Sequence, residues 1–174
     1  MRFVILLLLL VCFDISAHGD NSNKDIISIE MKKDTLCVIT TDLFLYYPFG
    51  EHTSMSGFSK NLDMPIVETF DSIGVAVLVK DGIRIKAFYD PCGDSHKVEI
   101  VFAQIDKKVK FERNVNIGME KEAVFESLNI PIASDIFQKI NVLSLISGLN
   151  GVIMNFMFKN NSLKSVRIIT DYIF

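Results

Sequence analysis

Val75-Ala76-Val77-Leu78-Val79-Lys80, Asp81-Gly82, Ile83-Arg84-Ile85-Lys86-Ala87-Phe88-Tyr89 is the stretch that decides the fold. Asp-Gly between two β-rich runs predicts a two-residue hairpin, because a type I′ turn needs positive φ at both central positions. Alternation then puts Ile83, Ile85, Ala87 and Tyr89 on one face of the returning strand, with Arg84 and Lys86 on the other. A further strand is expected over residues 98–105, after the polar turn at 90–96. Three sequential antiparallel strands make a meander.

The same pattern extends outward in both directions. Ile27 and Ile29 alternate with Ser28 and Glu30, and Leu36-Cys37-Val38-Ile39 resumes after Lys32-Lys33-Asp34, which reads as an earlier hairpin. Near the C-terminus, Val152-Ile153-Met154-Asn155-Phe156-Met157-Phe158-Lys159 runs into Asn160-Asn161-Ser162. Residues 163–172 return with Val166, Ile168 and Tyr172 on one face. Asn tolerates the left-handed backbone such a turn uses.

Between the meander and this last hairpin lies the best helix, residues 119–128. Met119, Ala123, Val124 and Leu128 fall along one face with Phe125 at its edge, and Glu120 and Glu122 suit the positive end of the helix dipole. Residues 135–149 are ambiguous. Ser134 suits the cap of a second helix carrying Ile136, Ile140 and Leu143, while the β-branched content weighs against that helix. The fold class is therefore α+β: a predominantly antiparallel sheet with one or two short helices.

An internal repeat is also legible. Gly50 leads to Phe58, Leu62 and Pro65, and then Ile73-Gly74-Val75 opens a hairpin. Gly118 leads to Val124, Leu128 and Pro131, and then Asn150-Gly151-Val152 opens another. Leu62-Asp63-Met64-Pro65 matches Leu128-Asn129-Ile130-Pro131, and each opening strand ends on lysine, Lys80 and Lys159. Ser54, Ser56 and Gly57 stand where the first copy needs a helix, which is expected there to be weak or absent. The halves would be residues 24–106 and 107–174.

Gly118-Met119-Glu120-Lys121-Glu122-Ala123-Val124, with Leu128 and Pro131, resembles the helix motif of β-lactamase-inhibitor-protein-like domains and of small outer-membrane assembly lipoproteins. Asn129 stands where that pattern often has glycine. Phe70-Asp71-Ser72-Ile73-Gly74-Val75 is similar to a strand opening in uncharacterised secreted bacterial domains, without their usual leading Tyr and Trp. The resemblance implies short helical segments packed on an antiparallel sheet, sometimes in tandem. It also implies a binding or envelope role rather than a catalytic one, although one fold hosts many functions.

The chain has 174 residues, with 18 Lys+Arg against 21 Asp+Glu, a formal charge of −3. That balance lacks the basic footprint of a nucleic-acid binder. Met1-Arg2, an apolar run over 3–13 and the small residues Ser16, Ala17 and Gly19 read as a secretory signal over residues 1–19. The run is too short to span a membrane. Cys12 follows the aliphatic lead-in of a lipoprotein signal, but Val11 replaces the small residue that signal requires. The expected product is one α+β domain over 20–174, secreted or periplasmic, without a transmembrane span.

Export leaves Cys37 and Cys92 as an even pair in an oxidising compartment. A bridge between them would close a loop of about 55 residues and contribute roughly 4 kcal/mol on a loop-entropy argument. The alternative is two separate thiols, one in a strand and one in a turn.

Catalytic and metal signatures are poor. Asp90-Pro91-Cys92-Gly93-Asp94-Ser95-His96 gathers ligand types, but a tetrahedral site rarely closes within seven consecutive residues, so a solvated hairpin loop is expected. His52 stands near Ser54 and Ser56 without a Gly-x-Ser-x-Gly elbow, and there is no Walker or Rossmann glycine pattern. No catalytic, cofactor or metal residue is assigned. Leu43-Phe44-Leu45-Tyr46-Tyr47-Pro48-Phe49 reads as a core strand ending at Pro48. Within it, Phe44, Tyr46, Tyr47 and Phe49 are the candidates for a partner patch, since such side chains build recognition surfaces. Lys107-Lys108-Val109-Lys110-Phe111-Glu112-Arg113 reads as a solvated strand edge. The expected role is non-catalytic binding of a protein or envelope component. The alternatives are a hydrolase with a site between the halves and a structural accessory of an envelope assembly.

Overall fold

A computed structural model describes residues 26–70, 72–90 and 97–171. In chain order the strands are β1 Ile26–Lys32, β2 Thr35–Thr40, β3 Ile66–Phe70, β4 Val75–Lys80, β5 Ile83–Phe88, β6 Glu99–Ile105, β7 Val142–Ser147, β8 Ile153–Lys159 and β9 Ser162–Ile169. The α-helices are α1 Met55–Leu62, α2 Lys121–Ser127 and α3 Ser134–Phe137. The α+β expectation holds. All nine strands form one sheet, ordered β1-β2-β7-β8-β9-β6-β5-β4-β3, antiparallel throughout except where β2 runs parallel to β7. No described helix is long and apolar enough to cross a membrane.

The deciding hairpin forms as its turn chemistry requires. Asp81 has φ +50° and Gly82 φ +83°, between paired Lys80 and Ile83. A Cβ on Gly82 would meet nothing closer than Asp106 Oδ1 at 3.9 Å, so only the backbone resists substitution. Gly82→Ala is expected to cost about 1 kcal/mol through the left-handed φ, measured as a lower urea midpoint with unchanged slope. The second turn repeats the device with Asn160 at φ +53° and Asn161 at φ +57°.

One inner row runs across the sheet from β1 to β4: Ile29, Val38, Leu145, Met154, Ile168, Ala103, Ile85 and Leu78 sit opposite one another in register. From Val38 to Leu78 these side chains are at most 4 % exposed, and they form the core with Phe58 of α1 and Val124 and Phe125 of α2. The described helices thus share one face of the sheet. Sheet edges are left at β1 and β3, and β3 is solvent-exposed along its length.

Three expectations need correcting. The first copy of the repeat does carry a helix. Ser54 Oγ accepts the Gly57 N–H at 3.1 Å and caps α1, so the serine read as helix-breaking is the residue that starts the helix. Residues 142–147 form β7, and α3 is a single turn begun by Ser134 after Ala133, not a helix reaching Leu143. Residues 43–45 form a 3-10 helix rather than a strand, because Asp42 Oδ1 accepts the Phe44 N–H at 2.9 Å.

The repeat itself is sharpest at the helix ends. Asp63 and Asn129 both have φ +52°. Met64 N–H donates to Ser59 O and Ile130 N–H to Phe125 O, each at 3.0 Å; Asp63 N–H donates to Lys60 O, and Asn129 N–H to Glu126 O. Leu-x-x-Pro is therefore the same Schellman cap twice, with Met64 and Ile130 buried behind it. Asn129 can hold this position without being glycine because asparagine tolerates the left-handed region. Beyond the caps the copies diverge. The β4–β5 and β8–β9 hairpins flank β6 with the same polarity, in mirrored order, over the same core. Counted back from Lys80 and Lys159, the first hairpin buries Leu78 and the second buries Phe158, a one-residue offset.

Candidate functional site

The aromatic loop was the sequence-based candidate. Of its four residues, Phe44 is buried in the core. Phe49 is half-buried, stacked on Phe111 at 5.0 Å between ring centres and tilted against Phe58 at 6.0 Å. Tyr46 is half-buried, with its hydroxyl 2.9 Å from Ser147 Oγ. Tyr47 is half-buried beneath the Lys97 ammonium, which lies 4.5 Å from its ring and 2.9 Å from Glu51 Oε1. Glu51 and Tyr47 together raise the Lys97 pKa. The aromatic side chains therefore serve mainly to bind the loop to the sheet.

Around this loop, Asp42 pairs with Arg113, whose guanidinium also lies 5.8 Å over the Phe44 ring. Arg113 holds φ +53°, a backbone cost for a non-glycine residue, offset by its two partners. A shallow cleft of about 420 Å³ opens beside the pair, lined by Leu43, Tyr47, Glu51 and Glu112. A smaller cavity of about 50 Å³ lies under it against Val38, Leu128 and Leu145. His52 is engaged on both nitrogens: Nε2–H donates to Phe49 O at 3.0 Å and Nδ1 accepts from Asn61 at 3.2 Å. That arrangement fixes its tautomer and leaves it without a free base nitrogen. Cys37 carries a free thiol, half-buried on β2. Its proposed partner Cys92 and the polar run 91–96 lie outside the described residues, as do Cys12, the signal segment and Tyr172.

A second cleft, about 720 Å³, lies between α2 and α3 over Phe125, Ile130 and Phe137, with Glu122 and Glu126 at its rim. Beneath it Lys121 is 4 % exposed. Its Nζ donates to Phe137 O at 2.9 Å and Ile140 O at 3.0 Å and lies 4.6 Å over the Phe137 ring. Burial lowers its pKa. The sequence carried a signal for this that the apolar-face reading passed over: Lys121, Val124, Phe125 and Leu128 stand at i, i+3, i+4, i+7, so the helix itself turns Lys121 inward.

The feature that sequence reasoning missed altogether is on the other face of the sheet. Ile39, Ile146, Ile153, Ile169 and Phe102 are paired in turn across β2, β7, β8, β9 and β6. They form a continuous apolar row away from the helices. Ile169 is 40 % exposed and the other four are half-buried. The flanking row, Glu30, Cys37, Ser144, Asn155, Arg167, Gln104 and Arg84, is polar. The signal was contiguous apolar residues such as Val38-Ile39 and Ile168-Ile169, where strict alternation would leave the outer face polar.

Comparison with protein-family models, with curated proteins and with solved structures found no match to this chain.

Proposed function

We propose that the protein is an exported, non-catalytic interaction module that engages a protein through the face of its sheet away from the described helices. One observation carries this reading: the five-residue apolar row of Ile39, Ile146, Ile153, Ile169 and Phe102, lying outside the core that the helices close. An apolar strip bordered by polar side chains on a sheet face is the composition of a binding surface. The signal-like residues 1–19 support a place outside the cytosol, and the helix motif's resemblance to inhibitor-like and envelope domains supports binding over chemistry.

The test is photo-crosslinking in the native host, with the reactive group placed either at Ile153 or at the exposed Glu126 on the opposite side. A discrete product at Ile153, absent at Glu126 and confined to the exported fraction, is the expected result. Equal labelling at both positions, or protein retained in the cytosol with its first nineteen residues intact, would overturn the proposal.

A further inference from the structure

We infer that the sheet face away from the described helices binds the same face of a second copy, about a two-fold axis running along β8. This rests on the reading of that face as a binding surface and names its occupant.

The argument is one of order across the sheet. Between β1 and β5 the strand sequence is β1-β2-β7-β8-β9-β6-β5, with β8 at the centre. A two-fold axis along β8 lays β7 over β9, β2 over β6 and β1 over β5 of the other copy. Ile153 then meets the partner's Ile153, Ile146 meets the partner's Ile169, and Ile39 meets the partner's Phe102. The apolar row is its own complement.

Charge selects this axis over the alternative. Glu30 stands on β1 at one end of the flanking row and Arg84 on β5 at the other, with Lys86 beside Arg84 on the apolar row's own line. Under the axis along β8, Glu30 faces the partner's Arg84 and the partner's Glu30 faces Arg84. An axis running across the strands instead lays β5 over β5 and crowds arginine and lysine against their own copies, which is repulsive. Arg84 forms no ion pair among the described residues, and Glu30 has only the exposed Lys32, at 3.3 Å.

The size of the face fits as well. Seven strands about 4.8 Å apart and three side-chain rows about 6.8 Å apart give roughly 600 Å² per copy. The pair would bury about 1,200 Å², the lower limit for a specific interface. In the third row Thr35, Val142, Met157 and Ser165 are uncharged, Lys32 stands at its β1 end, and Met157 lies on the axis. Splaying the strands of each copy to either side of the axis gives the ordinary crossing angle of aligned sheets, about 30°.

Sedimentation equilibrium of the purified protein tests this. The expected result is a reversible monomer–dimer equilibrium in the micromolar range. Ile153→Lys sets two ammonium groups on the axis and should weaken the dimer by roughly tenfold or more. Glu30→Arg alone and Arg84→Glu alone should each weaken it, and the two together should restore it. The charge variants sit on exposed positions, so they decide the matter even if Ile153→Lys fails to fold. A chain that stays monomeric at high micromolar concentration overturns the inference, as does a double charge variant no better than either single one. A monomer that still crosslinks to a different protein at Ile153 overturns the self-pairing and leaves the binding function standing.

Discussion

Replacing Lys121 with methionine is expected to cost about 2–3 kcal/mol of folding stability and to lower the Tm by roughly 4–12 °C. Methionine keeps most of the volume and loses the donors. Phe137 O retains the Ile140 N–H at 3.2 Å, but Ile140 O loses the lysine bond in a place where Ile140 itself is fully buried. The attraction between ammonium and the Phe137 ring goes too. Against these losses stands the relief of a desolvated charge, which keeps the net cost moderate. Alanine should cost more, about 3–4 kcal/mol, because it also leaves a cavity beneath α2.

The same residue makes stability depend on pH with a sign that can be worked out. Burial lowers the Lys121 pKa below its ordinary 10.5. Between the folded value and 10.5 the unfolded chain therefore holds more protons than the folded one, and stability rises with pH across that window. The desolvation cost is complete below the folded pKa and gone above 10.5. Equilibrium unfolding of the protein and of Lys121→Met, compared from neutral pH up to 10.5, should show the advantage of lysine widening. A constant difference would mean that the ammonium is solvated and the buried geometry wrong.

How much of this was legible depends on which physical signal a segment carries. The β4–β5 hairpin was readable because Asp81-Gly82 allows few alternatives and because Arg84 and Lys86 mark the solvent side. The α2 helix was readable from its acidic first turn and its stop at Pro131. The matched Leu62-Asp63-Met64-Pro65 and Leu128-Asn129-Ile130-Pro131 were visible as a repeat, although their meaning as left-handed caps needed the backbone. The parallel pairing of β2 with β7 was not readable at all. It joins residues more than a hundred positions apart, and no local pattern encodes which strand lies alongside which. The aromatic loop misled because a short run of apolar residues fits strand or 3-10 helix equally. The Asp42 cap, a single hydrogen bond, decides between them. The outer isoleucine row was hidden because alternation was assumed to leave one face polar.

The segment whose sequence was ambiguous supplies the sharpest remaining test. As a helix, residues 134–147 would place Ile140, Leu143 and Ser147 on one side and turn Leu145 some 200° away from Leu143. As β7, Leu143 and Leu145 both point into the core and Ile146 points to the outer face. Leu143 is fully buried beside Leu36 and Phe156; Leu145 is 4 % exposed between Val38 and Met154. Leu143→Ala and Leu145→Ala should therefore both be severe, about 3–5 kcal/mol each. Leu145 should lie at the upper end, because its removal enlarges the existing 50 Å³ cavity against Val38 and Leu128. Ile146→Ala, measured by denaturant unfolding at a concentration low enough to keep the chain monomeric, should cost about 1 kcal/mol or less. A large loss at Leu143 with little at Leu145 would restore the helix, remove the parallel partner of β2 and break the row on which the binding face depends. Severe losses at both leucines, with Ile146 spared, follow only if the side chains alternate across a strand.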